Sequence, residues 1–324
     1  MSFVFPDVLV LAGGGIVGEA WMSGLLAGIE ERAGVDFRRA EGCVGTSAGA
    51  IVAAGLVAGR SPRRPADGPR RAGPTAGQET GDRGQGGAAA GPASETEAAG
   101  GALAGAVRAA GRIAWAASAP LTPAAIALGA PAGALARAAL LARAPEGGRS
   151  LAGLRGEVQR SGAAFDGRLR VVVVDRGSGR RVVFGSPGAP RATVAEAVEA
   201  SCSIPWVFRA VRIGDRRYVD GGVWSVTNLD VAAVGAHTHV LCLEPTTMPG
   251  AGEARSPYGI LSQGLRAAAA VEEVVLRRRG ATVHRVGPDP DAAQAMGPNL
   301  MAGGRAAGAL TAGFAQGLRL GGGG

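Results

Sequence analysis

Lysine is absent from this chain of 324 residues, so arginine supplies all 34 of its basic side chains. They stand against 26 acidic residues and give a net charge of +8. Glycine, by contrast, occurs 56 times. Such a skewed composition is typical of coding bias, which makes the high isoelectric point a weak indication of a polyanionic ligand. We therefore expect no nucleic-acid partner.

Cysteine and histidine are also scarce. The three cysteines, Cys43, Cys202 and Cys242, stand among apolar or small residues without CxxC spacing. This pattern predicts reduced, buried thiols and no disulfide framework. His237 and His239 flank a single threonine, but no cluster of Asp, Glu or Cys accompanies them, so we expect a structural role and no metal.

The first residues lack the positively charged segment and the cleavage site of a signal peptide. We therefore expect a cytoplasmic protein. The apolar run at residues 8–12 predicts a buried strand instead.

Large apolar residues are missing from residues 61–100, where Pro, Gly, Ala, Arg and Glu dominate. Such a segment buries too little apolar surface to offset the entropy of ordering it, which predicts a disordered insertion over residues 61–101. Residues 102–149 are rich in alanine and uncharged between Arg112 and Arg137. Their prolines favour short helices of a lid or flap over a membrane span.

Most of the arginine surplus lies between residues 60 and 150. Two interpretations stand side by side. The surplus either attracts the protein to anionic membranes as a peripheral contact, or it is the charge of a solvated linker.

The remaining residues, 1–60 and 150–324, predict one α/β domain. A strand, a glycine turn and a helix follow one another twice within the first 60 residues, which is typical of a parallel sheet. Two hairpins are predicted at residues 169–184 and 211–219. We expect a mostly parallel central sheet with helices on both faces and a long low-complexity insertion.

A G-x-S-x-G pattern occupies residues 45–49, with Ser47 between Gly45 and Gly49. In so glycine-rich a chain the pattern alone is close to a chance match. Its setting between a strand and a helix of small residues is the context of a nucleophile elbow. There the helix N-terminus favours developing negative charge near the serine hydroxyl.

A second glycine pattern includes Gly13, Gly14, Gly15 and Gly18 and follows the first strand. One interpretation is a dinucleotide-binding turn, for which Asp36 stands at a suitable distance but in a polar stretch. The other is a turn whose backbone N–H groups face an oxyanion. The pattern by itself favours neither.

A third pattern, Asp220-Gly221-Gly222, ends a predicted strand and is followed by Asn228. Taken alone, it is typical of a plain turn.

In order, these three patterns resemble the patatin-like phospholipase family. The stretch at residues 200–208, with its Pro-x-x-Phe, is similar to the family's text ahead of its D-G-G. The resemblance covers about residues 7–60 and 165–245. It departs at Val17, where the family commonly has Arg or Lys, and at Asn228, which lacks the following proline.

The resemblance implies a serine acyl-hydrolase acting on fatty-acyl esters of phospholipids or neutral lipids, with no cofactor or metal. Ser47 would be the nucleophile and Asp220 its base. The N–H groups of residues 13–15 and of Ala48 would form the oxyanion hole, and Asn228 would brace the loop of Asp220. The alternatives are a Ser–Asp–His esterase using His284 and a nucleotide-binding oxidoreductase using the first glycine turn.

Overall fold

The computed structural model describes residues 3–65, 134–247 and 257–323. Most of the predicted insertion and the part of the predicted lid before residue 134 lie outside these residues. The strands are β1 (Val8–Leu11), β2 (Gly42–Thr46), β3 (Leu169–Asp175), β4 (Arg181–Phe184), β5 (Val211–Ile213), β6 (Arg216–Asp220), β7 (His239–Leu243) and β8 (Thr282–Val286). The helices are α1 (Gly15–Ala33), α2 (Ala48–Val57), α3 (Ala134–Arg143), α4 (Ala152–Arg160), α5 (Val194–Ser201), α6 (Pro257–Arg278), α7 (Pro290–Met296) and α8 (Ala306–Gly321).

The strands form one mixed sheet in the order β5-β6-β3-β2-β1-β7-β8, with β4 paired to β3. Neighbouring strands from β3 through β8 along this order are parallel. The additions at β4, β5 and β6 are antiparallel. The mostly parallel sheet and both predicted hairpins are therefore confirmed.

Alternate residues of each strand enter different apolar clusters, because successive side chains point to opposite faces. Leu9 and Leu11 pack with helices α1, α2, α4 and α5 on one face. Val8 and Val10 pack on the other face with Leu276 of α6. The sheet is thus covered by helices on both sides, as the sequence predicts.

Helix α3 packs against the sheet next to the β6 end. Its Leu141 is buried with Val174 and Val219, and the guanidinium of Arg137 stacks 3.9 Å above the ring of Trp224. These contacts fix α3 against the end of β6, where Asp220 lies.

The last helix, α8, closes the fold by packing along α1 through glycines. A Cβ added at Gly24 would lie 2.1 Å from the carbonyl oxygen of Leu310, and one at Gly317 would lie 2.2 Å from that of Leu25. The two backbones therefore approach more closely than any larger residue allows. Among the described residues, no helix is both long and apolar enough to span a bilayer.

Candidate active site

Ser47 lies at the junction of β2 and α2 with φ 52° and ψ −119°. L-residues rarely adopt this conformation, so the turn stores strain. The glycines on either side permit it sterically: a Cβ at Gly45 would lie 2.4 Å from Cα of Ala50, and one at Gly49 would lie 1.8 Å from the carbonyl oxygen of Leu11. Since only glycine fits at these positions, the backbone turns sharply and presents the serine at the carboxyl edge of the sheet.

Asp220 ends β6 and is 5 % exposed. Burial raises the pKa of its carboxyl from 3.8 to about 7, although hydrogen bonds from Gly222 and from the side chain of Ser47 lower it. The N–H of Gly222 donates to Oδ1 at 2.7 Å. The structure therefore brings the predicted nucleophile and the predicted base into direct contact.

Residues 201–203 connect these two side chains. The Oγ of Ser201 accepts the N–H of Ser47 at 2.9 Å and donates to the carbonyl of Val172 at 2.7 Å. The carbonyl of Ser203 accepts the N–H of Asp220 at 3.0 Å. We call residues 201–203 the bridge segment, because its two ends hold the backbones of Ser47 and Asp220.

Cys202, in the middle of the bridge segment, shares a hydrogen bond with the side chain of Ser47. Burial raises the pKa of its thiol well above the usual value. The thiol therefore stays protonated beside the serine. Sequence analysis predicted a buried cysteine and gave no sign of this contact; the residue is a free cysteine, as expected, but is only partly buried.

The glycine turn at residues 13–15 lies against Ser47. A Cβ at Gly13 would be 3.6 Å from Cβ of Ser47. The N–H of Gly13 donates to the carbonyl of Val226 at 2.9 Å, so it is already occupied. Within the described ranges, the N–H groups of Gly14, Gly15 and Ala48 have no protein acceptor.

Of the four N–H groups expected to form an oxyanion hole, that of Gly13 is therefore occupied and the other three have no acceptor within the described ranges. Gly14 and Gly18 owe their identity to packing, since a Cβ at either position would lie within 2.8 Å of the side chain of Pro245. Gly15 combines a φ of +60° with a Cβ position 2.7 Å from the carbonyl oxygen of Leu300.

Asn228 is fully buried in a left-handed conformation, with φ 49°. Its Nδ2 donates to Oγ1 of Thr46 at 3.1 Å and to the carbonyl of Gly221 at 3.4 Å. Asn228 thus joins the residue before Ser47 to the residue after Asp220. On the other side, Oδ1 accepts from Arg181 at 3.2 Å, which fixes the orientation of the amide.

Glu272 of α6 holds the same loop through two hydrogen bonds. Its Oε2 accepts from Oγ1 of Thr227 at 2.6 Å and from the N–H of Leu229 at 2.8 Å. Burial raises the pKa of this carboxyl. Sequence analysis missed Glu272 because its partners are more than 40 residues away along the chain.

A cavity of about 550 Å³ opens at Ser47 and extends between α2 and α4. Apolar side chains form most of its wall, among them Ile51, Leu56, Leu154 and Val158. Its size falls within the range of small-molecule sites.

All three histidines lie away from Ser47. His237 and His239 precede or begin β7, at the amino edge of the parallel strands. His284 is exposed in the middle of β8, three strands from β2, or about 14 Å at the usual strand spacing. Asp36 lies before β2, at the sheet edge opposite the glycine turn, and bonds to Arg38.

No group of three or more His, Cys, Asp or Glu side chains suited to a metal occurs in the described part of the chain. A strained serine between a parallel strand and a helix, facing a buried carboxylate, defines an α/β protein with a nucleophile-elbow geometry. A family profile described as patatin-like phospholipase matches residues 9–233. The chain therefore belongs to the patatin-like phospholipase family, a family of lipid acyl hydrolases, as its motifs predicted. Comparison with curated proteins gives no match.

Proposed function

We propose that this protein hydrolyses fatty-acyl esters, of phospholipids or neutral lipids, through a Ser47–Asp220 dyad and an acyl-enzyme. The observation that carries the proposal is the contact between the strained Ser47 and the buried Asp220, whose pKa is raised to about 7. A carboxylate with its ordinary pKa is a poor base for a hydroxyl, and desolvation removes part of this disadvantage.

The first step is attack by Oγ of Ser47 on the acyl carbonyl, while the hydroxyl proton moves to Asp220. The negative charge that develops on the carbonyl oxygen is stabilised by N–H groups without a protein acceptor, those of Gly14, Gly15 and Ala48. When the tetrahedral intermediate collapses, the proton passes from Asp220 to the leaving alcohol. Ser47 then carries the acyl group.

Deacylation repeats these steps with water. Asp220 accepts a proton from the water molecule as it attacks the acyl-enzyme, and returns that proton to Oγ of Ser47 when the fatty acid leaves. The cavity along α2 receives the acyl chain, because its wall next to Ser47 is largely apolar.

The test is hydrolysis of a medium-chain p-nitrophenyl ester by the wild type and matched variants. We expect Ser47→Ala and Asp220→Asn to lose at least about 10³-fold in kcat. Asp215→Asn, in the exposed turn of the second hairpin, and His284→Ala are the controls and should keep full activity. An active Asp220→Asn together with an inactive His284→Ala would replace the dyad with a Ser–Asp–His triad.

Peripheral contact with a lipid surface is a further part of the proposal, since the arginine surplus matches anionic lipids in sign. Co-sedimentation with vesicles of neutral and of anionic phospholipids tests it. We expect binding to the anionic vesicles that salt weakens, and equal binding to both would refute the electrostatic part.

A further inference from the structure

The cavity has a second end, away from Ser47. Ser47 precedes the first turn of α2, and Arg60 follows its last turn; both line the cavity. The ten residues of α2 advance about 15 Å at about 1.5 Å per residue. Carbon–carbon bonds of about 1.52 Å advance an extended chain by about 1.25 Å each, so about twelve carbons cover this length.

Glu157 of α4 lines the same cavity as Arg60, and the charge of Arg60 acts on its carboxylate, which places Glu157 toward the distal end. The residue is 7 % exposed. Among the residues that the structure describes, no group donates a hydrogen bond to its Oε2. Its Oε1 lies 3.8 Å from a guanidinium nitrogen of Arg160, whose side chain is largely exposed. A buried carboxylate oxygen without a donor is rare and costly.

The surroundings of Glu157 indicate which ligand group it can accept. The charged groups that act on its carboxyl are Arg60 and Arg160. Their positive charges repel a cationic ligand. Burial raises the pKa of the carboxyl, because charge is poorly solvated there. A neutral O–H donor fits these conditions. Rotation of the terminal carboxyl torsion, which is broad, turns either oxygen toward the cavity.

We propose that the distal end of the cavity is a polar subsite for a hydroxyl group on the acyl chain, with Glu157 as the hydrogen-bond acceptor. The proposal rests on the function proposed above, because Ser47 fixes the ester at the other end. The preferred substrates are then esters of medium-chain fatty acids that carry a hydroxyl near the twelfth carbon.

The test compares p-nitrophenyl 12-hydroxydodecanoate with p-nitrophenyl dodecanoate. We expect the wild type to favour the hydroxylated ester about tenfold or more in kcat/KM, since hydrogen bonds to charged groups are the stronger ones. Glu157→Leu should reduce the ratio to about one or below. Gln159→Leu, an exposed residue of the same helix that does not line the cavity, should keep the wild-type ratio.

A second measurement needs no variant. In the wild type, the preference should be large for the 12-hydroxy ester and absent for 8-hydroxyoctanoate against octanoate, because the shorter chain does not reach Glu157. Equal ratios at both lengths, or a ratio unchanged by Glu157→Leu, would overturn the subsite.

Binding separates this proposal from the proposed function. Methyl 12-hydroxydodecanoate should bind Ser47→Ala about tenfold more tightly than methyl dodecanoate by calorimetry, and equally tightly when Glu157→Leu is added. If the hydroxylated ester binds more tightly but the wild type hydrolyses no ester, the proposed hydrolase function is wrong and the subsite stands. Hydrolysis without discrimination overturns the subsite alone.

Discussion

Two strand–turn–helix junctions lie side by side at the carboxyl edge of the sheet, one from β1 into α1 and one from β2 into α2. Both contain a residue with positive φ, +60° at Gly15 and +52° at Ser47. In the first junction that residue is glycine, and the N–H groups of Gly14 and Gly15 have no acceptor among the residues that the structure describes. In the second it is serine, held in a conformation that costs of order 1–3 kcal/mol for an L-residue.

This difference in residue type at the positive-φ position corresponds to different proposed roles for the two turns. In the proposed mechanism, the first junction contributes backbone N–H groups and no side chain. The second contributes the side chain of Ser47 from a strained backbone conformation. Substitutions that exchange these properties between the junctions test this contrast directly.

The largest effect is expected from Gly49→Ala, which places a Cβ 1.8 Å from the carbonyl oxygen of Leu11 and so forces β1 and α2 apart. We expect a loss of about 4 kcal/mol or more in the free energy of unfolding, measured in urea. Gly55→Ala is the matched control on the same helix, because nothing lies within 4 Å of its Cβ position. It should stabilise the protein by about 0.5–1 kcal/mol through helix propensity.

The acid that faces the second junction gives a pH-dependent effect. Since the pKa of Asp220 is raised from 3.8 to about 7, the folded protein keeps a proton between these values that the unfolded chain has lost. The stabilisation from that proton is full below the unfolded pKa and is lost as the pH rises through about 7. Asp220→Asn lacks this loss and should gain about 4 kcal/mol relative to the wild type between pH 4 and 8.

Urea unfolding of both proteins at several pH values measures this gain, and a constant difference in the free energy of unfolding would refute it.

The titration of Asp220 should also determine how kcat/KM depends on pH. Because the dyad needs the Asp220 carboxylate, we expect kcat/KM to fall about tenfold per pH unit well below the pKa. His284→Ala should leave this profile unchanged.

Gly15→Ala makes the first junction resemble the second, because it puts a side chain at a positive φ. It adds close contacts with Leu300 and Met301, and we expect a loss of about 2–3 kcal/mol in stability together with lower kcat. Gly34→Ala has a similar φ but nothing within 4 Å. It should cost only about 1 kcal/mol, which is the price of the backbone conformation alone. Equal losses would contradict the role of packing.

Ser47→Gly makes the second junction resemble the first and should change the stability less than Gly49→Ala, Asp220→Asn or Gly15→Ala. Removing the side chain relieves the strained backbone, so we expect a gain of about 1 kcal/mol despite the added freedom of the unfolded chain. Thermal unfolding measures the gain, with Ser47→Ala as the control that keeps the strain. Both variants should lack ester hydrolysis, and a Ser47→Gly variant no more stable than Ser47→Ala would argue against strain.

The two junctions also separate what the sequence predicts from what it leaves out. Each one is local: an apolar run, glycines and a helix-forming run within about 20 residues suffice to predict its backbone, and the order of motifs indicated Ser47 and Asp220. The bridge segment is not local, since Ser201 meets Ser47 across 154 residues. Serine is common, and no pattern distinguishes this one before the chain folds.

The same limit applies to Gly13 and Glu157. The family resemblance implied that the N–H of Gly13 belongs to an oxyanion hole, but only the fold shows that the carbonyl of Val226 accepts this N–H. Glu157 belongs to a helix with an ordinary mixture of polar and apolar residues. That one of its carboxylate oxygens lacks a hydrogen-bond donor depends on the position of Arg60 and on the shape of the cavity. Residues far from Glu157 in the sequence determine both.

The glycine contacts between α1 and α8 affect how the chain folds during its synthesis. Helix α1 is synthesised well before α8, yet the two helices pack backbone to backbone, and the N–H of Val17 donates to the carbonyl of Leu300 just ahead of α8. Until those residues have been synthesised, the side of α1 that faces α8 has no packing partner. Contacts of such sequence separation slow folding and leave incomplete chains prone to aggregation. A chain that ended before residue 300 would therefore lack both the close contact of α1 with α8 and the hydrogen bond of Val17 to Leu300.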